Sequence, residues 1–146
     1  LLCCRSLKLH NNKDDSMPTE WAYQSATRLL AAMAAGQLSS RDLLEYYRQR
    51  IERHNPQLNA VVATAFDAAF RRADEADNAR REGVSWGPLH GLPITIKDTF
   101  EVQGMPCVAG APALAGHRPG SNAFAVQRLL DAGAIIFGKT NVPLYQ

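Results

Sequence analysis

Gly87-Pro88-Leu89-His90-Gly91-Leu92-Pro93-Ile94-Thr95-Ile96-Lys97-Asp98-Thr99-Phe100 joins turn punctuation to a short β-branched run. Gly87-Pro88 and Gly91-Leu92-Pro93 bracket a turn, and Ile94-Thr95-Ile96 reads as a strand. Side chains alternate along a strand, so Ile94 and Ile96 share one face while Thr95 and Lys97 share the other. Lys97 thus ends an otherwise apolar strand, where a cation is costly unless it is partnered, reaches water or sheds its proton. A lysine that has shed its proton can serve as a base.

On the downstream side, Thr99 to Gly104 leads into a Pro/Gly/Ala-rich segment from Met105 to Gly120, expected as irregular surface chain of a length that is usually functional or disordered. Ser121 or Asn122 is expected to cap a helix through Ala132, with Val126, Leu129 and Leu130 inward. Ala134 to Phe137 reads as the next strand. On the upstream side, Glu20 to Ala35 favours helix and Gly36 stops it. Ser39 or Ser40 caps a second helix that Asn55-Pro56 ends. Its face of Leu43, Leu44, Tyr47 and Ile51 is apolar, and Arg48, Arg50, Glu52 and Arg53 are wet. Leu58 to Phe66 is expected as a buried strand, and Asp67 opens a third helix to Glu82 with a small-residue face. The arginines of that helix alternate with acids, so a solvated salt-bridged face is expected. Helices followed by strand–helix–strand place the chain in the α/β class.

The 146 residues carry 46% hydrophobic residues and a formal charge of +2. That composition permits a core, and the interspersed charges give no argument for nucleic acid or an anionic membrane. No apolar run approaches the roughly 18 residues that span a bilayer. The cysteines at 3, 4 and 107 have no metal spacing, and a reducing, cytoplasmic setting fits them. Residues 1–16 read as a disordered or non-native N-terminal tail, with Met17 as the natural start, and residues 17–146 as one continuous unit.

Two blocks carry a resemblance. Gly87 to Asp98 resembles the lysine-bearing block of the amidase signature family, and Ala132-Gly133-Ala134-Ile135-Ile136-Phe137-Gly138-Lys139-Thr140-Asn141-Val142-Pro143 resembles that family's next block at the expected distance. The resemblance implies an α/β fold, the N-terminal part of the amidase-signature fold (a mixed sheet covered by helices), incomplete in this chain. It implies an amidase acting on a carboxylic acid amide through a Ser-cisSer-Lys triad in which Lys97 is the catalytic base. The two serines belong to a later Gly-Ser-rich stretch that the 146 residues do not contain, so the chain alone is expected to be inactive. No cofactor and no metal is implied. The implied partner is a small-molecule amide, with no nucleic acid and no membrane, and with a homodimer possible for the full-length protein. The same family includes the A-type subunits of glutamyl-tRNA amidotransferases, which usually follow Gly-Lys-Thr-Asn with an acidic residue and Phe. This chain has Leu144-Tyr145 there, which favours a free-standing amidase; a truncated, non-catalytic binding module is a third reading.

Competing motifs fail on context. Gly133 to Thr140 fits the phosphate-loop pattern G-x-x-x-x-G-K-T, but that loop needs a strand before it and a helix opening at the lysine. Here a helix precedes Gly133, the intervening residues are strand formers, and Pro143 opposes a following helix. Lys139, Thr140 and Asn141 are instead expected to fix backbone near the site. Ser25, Ser39, Ser40 and Ser121 read as helix caps and Ser85 as a turn residue, none in a Gly-x-Ser-x-Gly elbow. A Schiff-base role for Lys97 lacks a phosphate-binding element. Cys107 reads as an ordinary small residue, since nothing basic adjoins it in sequence.

Overall fold

The structure, a computed structural model, describes residues 19–144; the expected tail lies outside them. A 3-10 turn over Thr19–Tyr23 precedes α1 (Ala26–Ala34), which starts late because Ser25 caps it by accepting from the Arg28 amide. Next come α2 (Ser40–Leu58), β1 (Val61–Thr64), α3 (Phe66–Arg81), β2 (Pro93–Lys97), α4 (Phe124–Asp131) and β3 (Ile135–Thr140). The sheet order is β1-β3-β2, with β3 antiparallel to β1 and parallel to β2. Strand β2, α4 and β3 thus form a βαβ unit, the connection that two neighbouring parallel strands require.

Helices cover both faces. Leu44 of α2 and Ala69, Ala73 and Ala76 of α3 pack on Ile135 and Phe137, with Tyr47 and Phe66 stacked on the Phe137 ring. The small-residue face expected for α3 lets that helix lie close to the sheet. On the other face Val126, Leu129 and Leu130 of α4 pack with Ile96, Ile94 and Ile136. Helix α1 docks on α2 through Leu29, Met33, Leu43 and Tyr46.

Three expectations need correction. Helix α2 runs through Pro56 to Leu58. The proline falls in the last turn, where one lost amide bond is tolerable, and the left-handed Asn59 (φ 47°) closes the helix with its amide on the Asn55 carbonyl. The Asn55 side chain also ties both backbone polar groups of Val61 at 2.8 Å. Strand β1 is a short, half-exposed edge strand and not a buried one. Helix α4 begins without a side-chain cap; Asn122 accepts from the Gln103 amide and so holds the loop before the helix.

The turn into β2 is built around Gly91 (φ +77°), where an added Cβ would lie 2.1 Å from Ser40 Oγ and 2.8 Å from Arg80 Nη2. Only glycine fits that close approach. His90 is buried, takes the Trp86 amide on Nδ1 and sets Nε2 2.9 Å from the Ala76 carbonyl, which assigns the proton to Nε2. It fastens the turn to α3.

Candidate functional site

Strands β2 and β3 run parallel and end together, with Lys97 opposite Thr140 and Ile96 opposite Lys139. The carboxyl ends of parallel strands are where open α/β sheets place ligands. The register between them shifts: Ile94 pairs with Ile136, but Thr95 pairs with Gly138, leaving Phe137 as an extra residue on β3. Strict alternation would put Lys139 beside Ile135 and Phe137, facing α2 and α3. The bulge instead puts it on the face of Ile96 and Ile136, under the loop that follows Lys97. Lys97 and Thr140 lie on the opposite face.

Lys97 is exposed. Among the described residues no carboxylate or hydroxyl contacts its amine. Its backbone is held well: the Phe100 amide donates to the Lys97 carbonyl and the Asp98 amide to Thr140.

Lys139 has the contrary surroundings. It is wholly buried, and its Nζ donates to the carbonyls of Phe100 and Pro106, each at 2.9 Å. The Asp98 carboxylate approaches it to 3.3 Å through Oδ1, an ion-pair distance whose alignment does not make a hydrogen bond. Oδ2 of Asp98 accepts from the amides of Val108 (3.1 Å) and Ala109 (3.0 Å), and its carbonyl accepts from Cys107 Sγ at 3.2 Å. Two successive amides thus converge on one carboxylate oxygen, and the chain turns away beyond them at Ala109 and Gly110, with φ of +50° and +66°. Lys139 fixes backbone beside Lys97, as its position in the second block leads one to expect. Its place in a buried ion pair is what sequence reasoning misses, although the cost of a cation in an apolar strand applies to Ile135–Thr140 as much as to β2.

Cys107 is buried and free. Burial pushes its thiol up; nearby Lys139 pulls it down, and Asp98 and Glu101 push it up again, leaving it raised. The cation that the sequence does not place beside Cys107 is present in space, and desolvation outweighs it. A raised thiol is a poor nucleophile. The loop carrying it is less free than expected: Met105, Cys107, Ala111 and Pro119 are buried, and amides of Gly104 and Cys107 donate to Pro119 and His117.

Ser25 and Ser39 are the caps of α1 and α2, as expected. Ser40 is not a cap: it is fully buried, its amide on Asp77 Oδ1 and its Oγ 3.3 Å from Arg80 Nη2. Ser121 is exposed. Gly133 to Thr140 holds a turn and then β3, with no helix opening at Lys139, so the phosphate-loop pattern has no phosphate-loop structure. A surface groove of about 490 Å³ beside His90 and Arg80 is lined by α1, the end of α3 and the Gly83–His90 turn, without Lys97. Among the described residues no three His, Cys, Asp or Glu side chains converge as metal ligands, and no helix is long and apolar enough to cross a membrane.

The amidase family model matches residues 42–145, which takes in both blocks and the paired strands that present Lys97. The chain belongs to the amidase signature family. It is 42% identical over 123 residues to the A-type subunit of the glutamyl-tRNA(Gln) amidotransferase of Chloroflexus aurantiacus, covering 84% of this chain and 25% of that protein. It is 39% identical over 119 residues to an acylamidase of Rhodococcus erythropolis, covering 82% and 25%. The native peptide amidase of Stenotrophomonas maltophilia superposes with a TM-score of 0.75 at 44% identity, over 83% of this chain and 25% of that one. The chain spans about a quarter of the length of the relatives it matches. Its mixed sheet between helices is part of the amidase-signature fold; the two blocks supply the parallel strands β2 and β3, and the antiparallel β1 lies outside them.

Proposed function

We propose that this chain supplies the lysine-bearing part of an amide hydrolase, with Lys97 as the base of a Ser-cisSer-Lys triad whose serines lie outside the 146 residues. The observation that carries this reading is the placing of Lys97: an exposed amine on a rigidly held backbone, at the carboxyl end of paired parallel strands, without a partner among the described residues. In this reading the rest of the fold covers the Lys97 amine, which burial favours in its neutral form, and it takes the proton of the nucleophilic serine through the bridging serine. The serine oxygen attacks the amide carbonyl, the proton passes to the leaving amine, and water releases the acyl group. The substrate is a small carboxylic amide, the compartment is cytoplasmic, and the 146 residues alone turn over no amide.

The test is amide hydrolysis by the full-length protein that carries this chain. Lys97→Ala is expected to lower kcat about 10²-fold or more. Lys97→Arg is expected to fare no better, because a guanidinium stays charged and cannot accept the proton. Near wild-type turnover in Lys97→Arg would overturn the assignment. A second reading, the A-type subunit of an amidotransferase, is favoured by the 42% identity to the Chloroflexus protein. Val142-Pro143-Leu144 after Asn141, without an acidic residue, favours the free-standing enzyme. Ammonia release from simple amides without added protein partners or tRNA separates the two.

A further inference from the structure

Lys139, Asp98 and the loop they gather contain more charge than a surface turn requires. Lys139 has 0% of its side chain exposed and Asp98 has 5%. All three oxygens around the ammonium, two hydrogen-bonded carbonyls and the ion-paired carboxylate, lie in residues 98–106, directly after Lys97. Asp98 is held at its amide by Thr140, at its carbonyl by Cys107 Sγ, and at its carboxylate by Val108, Ala109 and Lys139. The residue next to Lys97 therefore has no freedom to turn. Apolar side chains of similar volume often hold such a loop as well as a buried ion pair does, or better. What they cannot do is aim the carbonyls of Phe100 and Pro106 at one point.

We propose that Asp98 and Lys139 are positioning residues for Lys97: a buried ion pair that ties the loop leaving Lys97 onto β3 and so fixes the direction in which the Lys97 amine leaves the sheet. The inference rests on the reading of Lys97 as a base. The bulge after Ile136 is its structural origin, since it brings Lys139 to the loop face while Lys97 stays on the other. Neither side chain touches substrate; each acts through the backbone of residues 98–109.

Cys107 is a built-in reporter, because its buried thiol donates to the Asp98 carbonyl. The experiment compares Lys139→Met, Asp98→Asn and the double variant with wild type and with Leu43→Ala, which loosens the α1–α2 core away from the loop. In this chain the rate of Cys107 alkylation by iodoacetamide is followed by peptide mass, separately from Cys3 and Cys4. Each single variant is expected to speed it about 10-fold or more, an opening of the loop beyond that of the whole fold. Equal acceleration in Leu43→Ala at matched stability would overturn the local clamp. In the full-length amide hydrolase the single variants are expected to lose about 10- to 10²-fold in kcat with KM little changed, the scale of a displaced catalytic group. The double variant, which leaves no uncompensated charge, is expected to regain its urea midpoint without regaining kcat. If kcat returns together with the midpoint, the pair serves stability alone and the proposal fails. Unchanged kcat in Lys97→Ala would remove the reading of Lys97 as base, while the Cys107 rates still decide on the clamp.

Discussion

Lys97 and Lys139 stand at the same end of neighbouring strands, yet one is exposed and the other is buried with three oxygens within 3.3 Å. The chemistry of the two side chains is the same, and the surroundings divide their roles. Removing Lys139 would strand a carboxylate in a site that water does not reach. Removing the Lys97 side chain would leave every described hydrogen bond intact. A lysine on which the fold depends is thus distinguishable from one on which the fold does not depend, and only the second kind is free to be used for chemistry.

The largest effect should come from the buried partner. Lys139→Ala is expected to cost this chain about 3–5 kcal/mol, the usual result of breaking a buried pair by removing one member. Lys97→Ala should stay within about 0.5 kcal/mol, as surface changes do. Urea unfolding of both variants measures the contrast, and equal midpoints would break it. Next comes Gly91→Ala, which sharpens the comparison by loosening β2 at its other end. A Cβ 2.1 Å from Ser40 Oγ at φ +77° is expected to cost about 1–3 kcal/mol; a neutral result would mean that the turn is not closely packed.

A smaller loss is expected for Asp77→Ala. Its carboxylate accepts from the amides of Ser40 (2.8 Å) and Arg41 (3.0 Å) at the start of α2, and from Arg80. Losing those bonds should cost about 1–2 kcal/mol, read in the same denaturant titration; no change would show that Ser39 suffices as the cap. The smallest effect concerns pH. The folded state raises the Cys107 thiol above its ordinary 9.0, so the native chain holds that proton more tightly than the unfolded one. The contribution is full below that value and is lost as pH rises through the folded one. Tyr47, raised chiefly by burial, acts likewise from about 10 upward. Cys107→Ala should therefore flatten the lower part of the alkaline decline in thermal midpoint, and an unaltered profile would show that the thiol is not held neutral by the fold.

Much of this is legible in the letters. Gly-Pro-Leu-His-Gly-Leu-Pro followed by Ile-Thr-Ile announces a turn and a strand, because glycine and proline restrict backbone locally and β-branching favours extended chain. The strand–helix–strand order and the position of Lys97 follow from it. Pro56 misleads because a proline's cost depends on which turn of the helix it occupies, which tertiary contacts such as Asn55 on Val61 decide. Asn122 misleads because a polar side chain before a helix can serve the loop behind it as readily as the helix ahead. The burial of Lys139 depends on a register shift with β2, a strand some forty positions upstream in sequence, and local spacing cannot report it.

That extra residue at Phe137 also acts as a parity change along β3. Before it, odd-numbered positions look toward α2 and α3; after it, even-numbered ones do, so Thr140 shares the side of Lys97. A single insertion between Gly138 and Lys139 would therefore conserve every downstream letter and invert every downstream direction, sending the Lys139 ammonium toward the apolar α2–α3 face and leaving Asp98 without its cation. Deleting Phe137 or Gly138 instead removes the extra residue and keeps Lys139 opposite Ile96. In this segment length is as strict a requirement as identity, and a variant one residue longer between Gly138 and Lys139 should be more damaging than any single exchange within it.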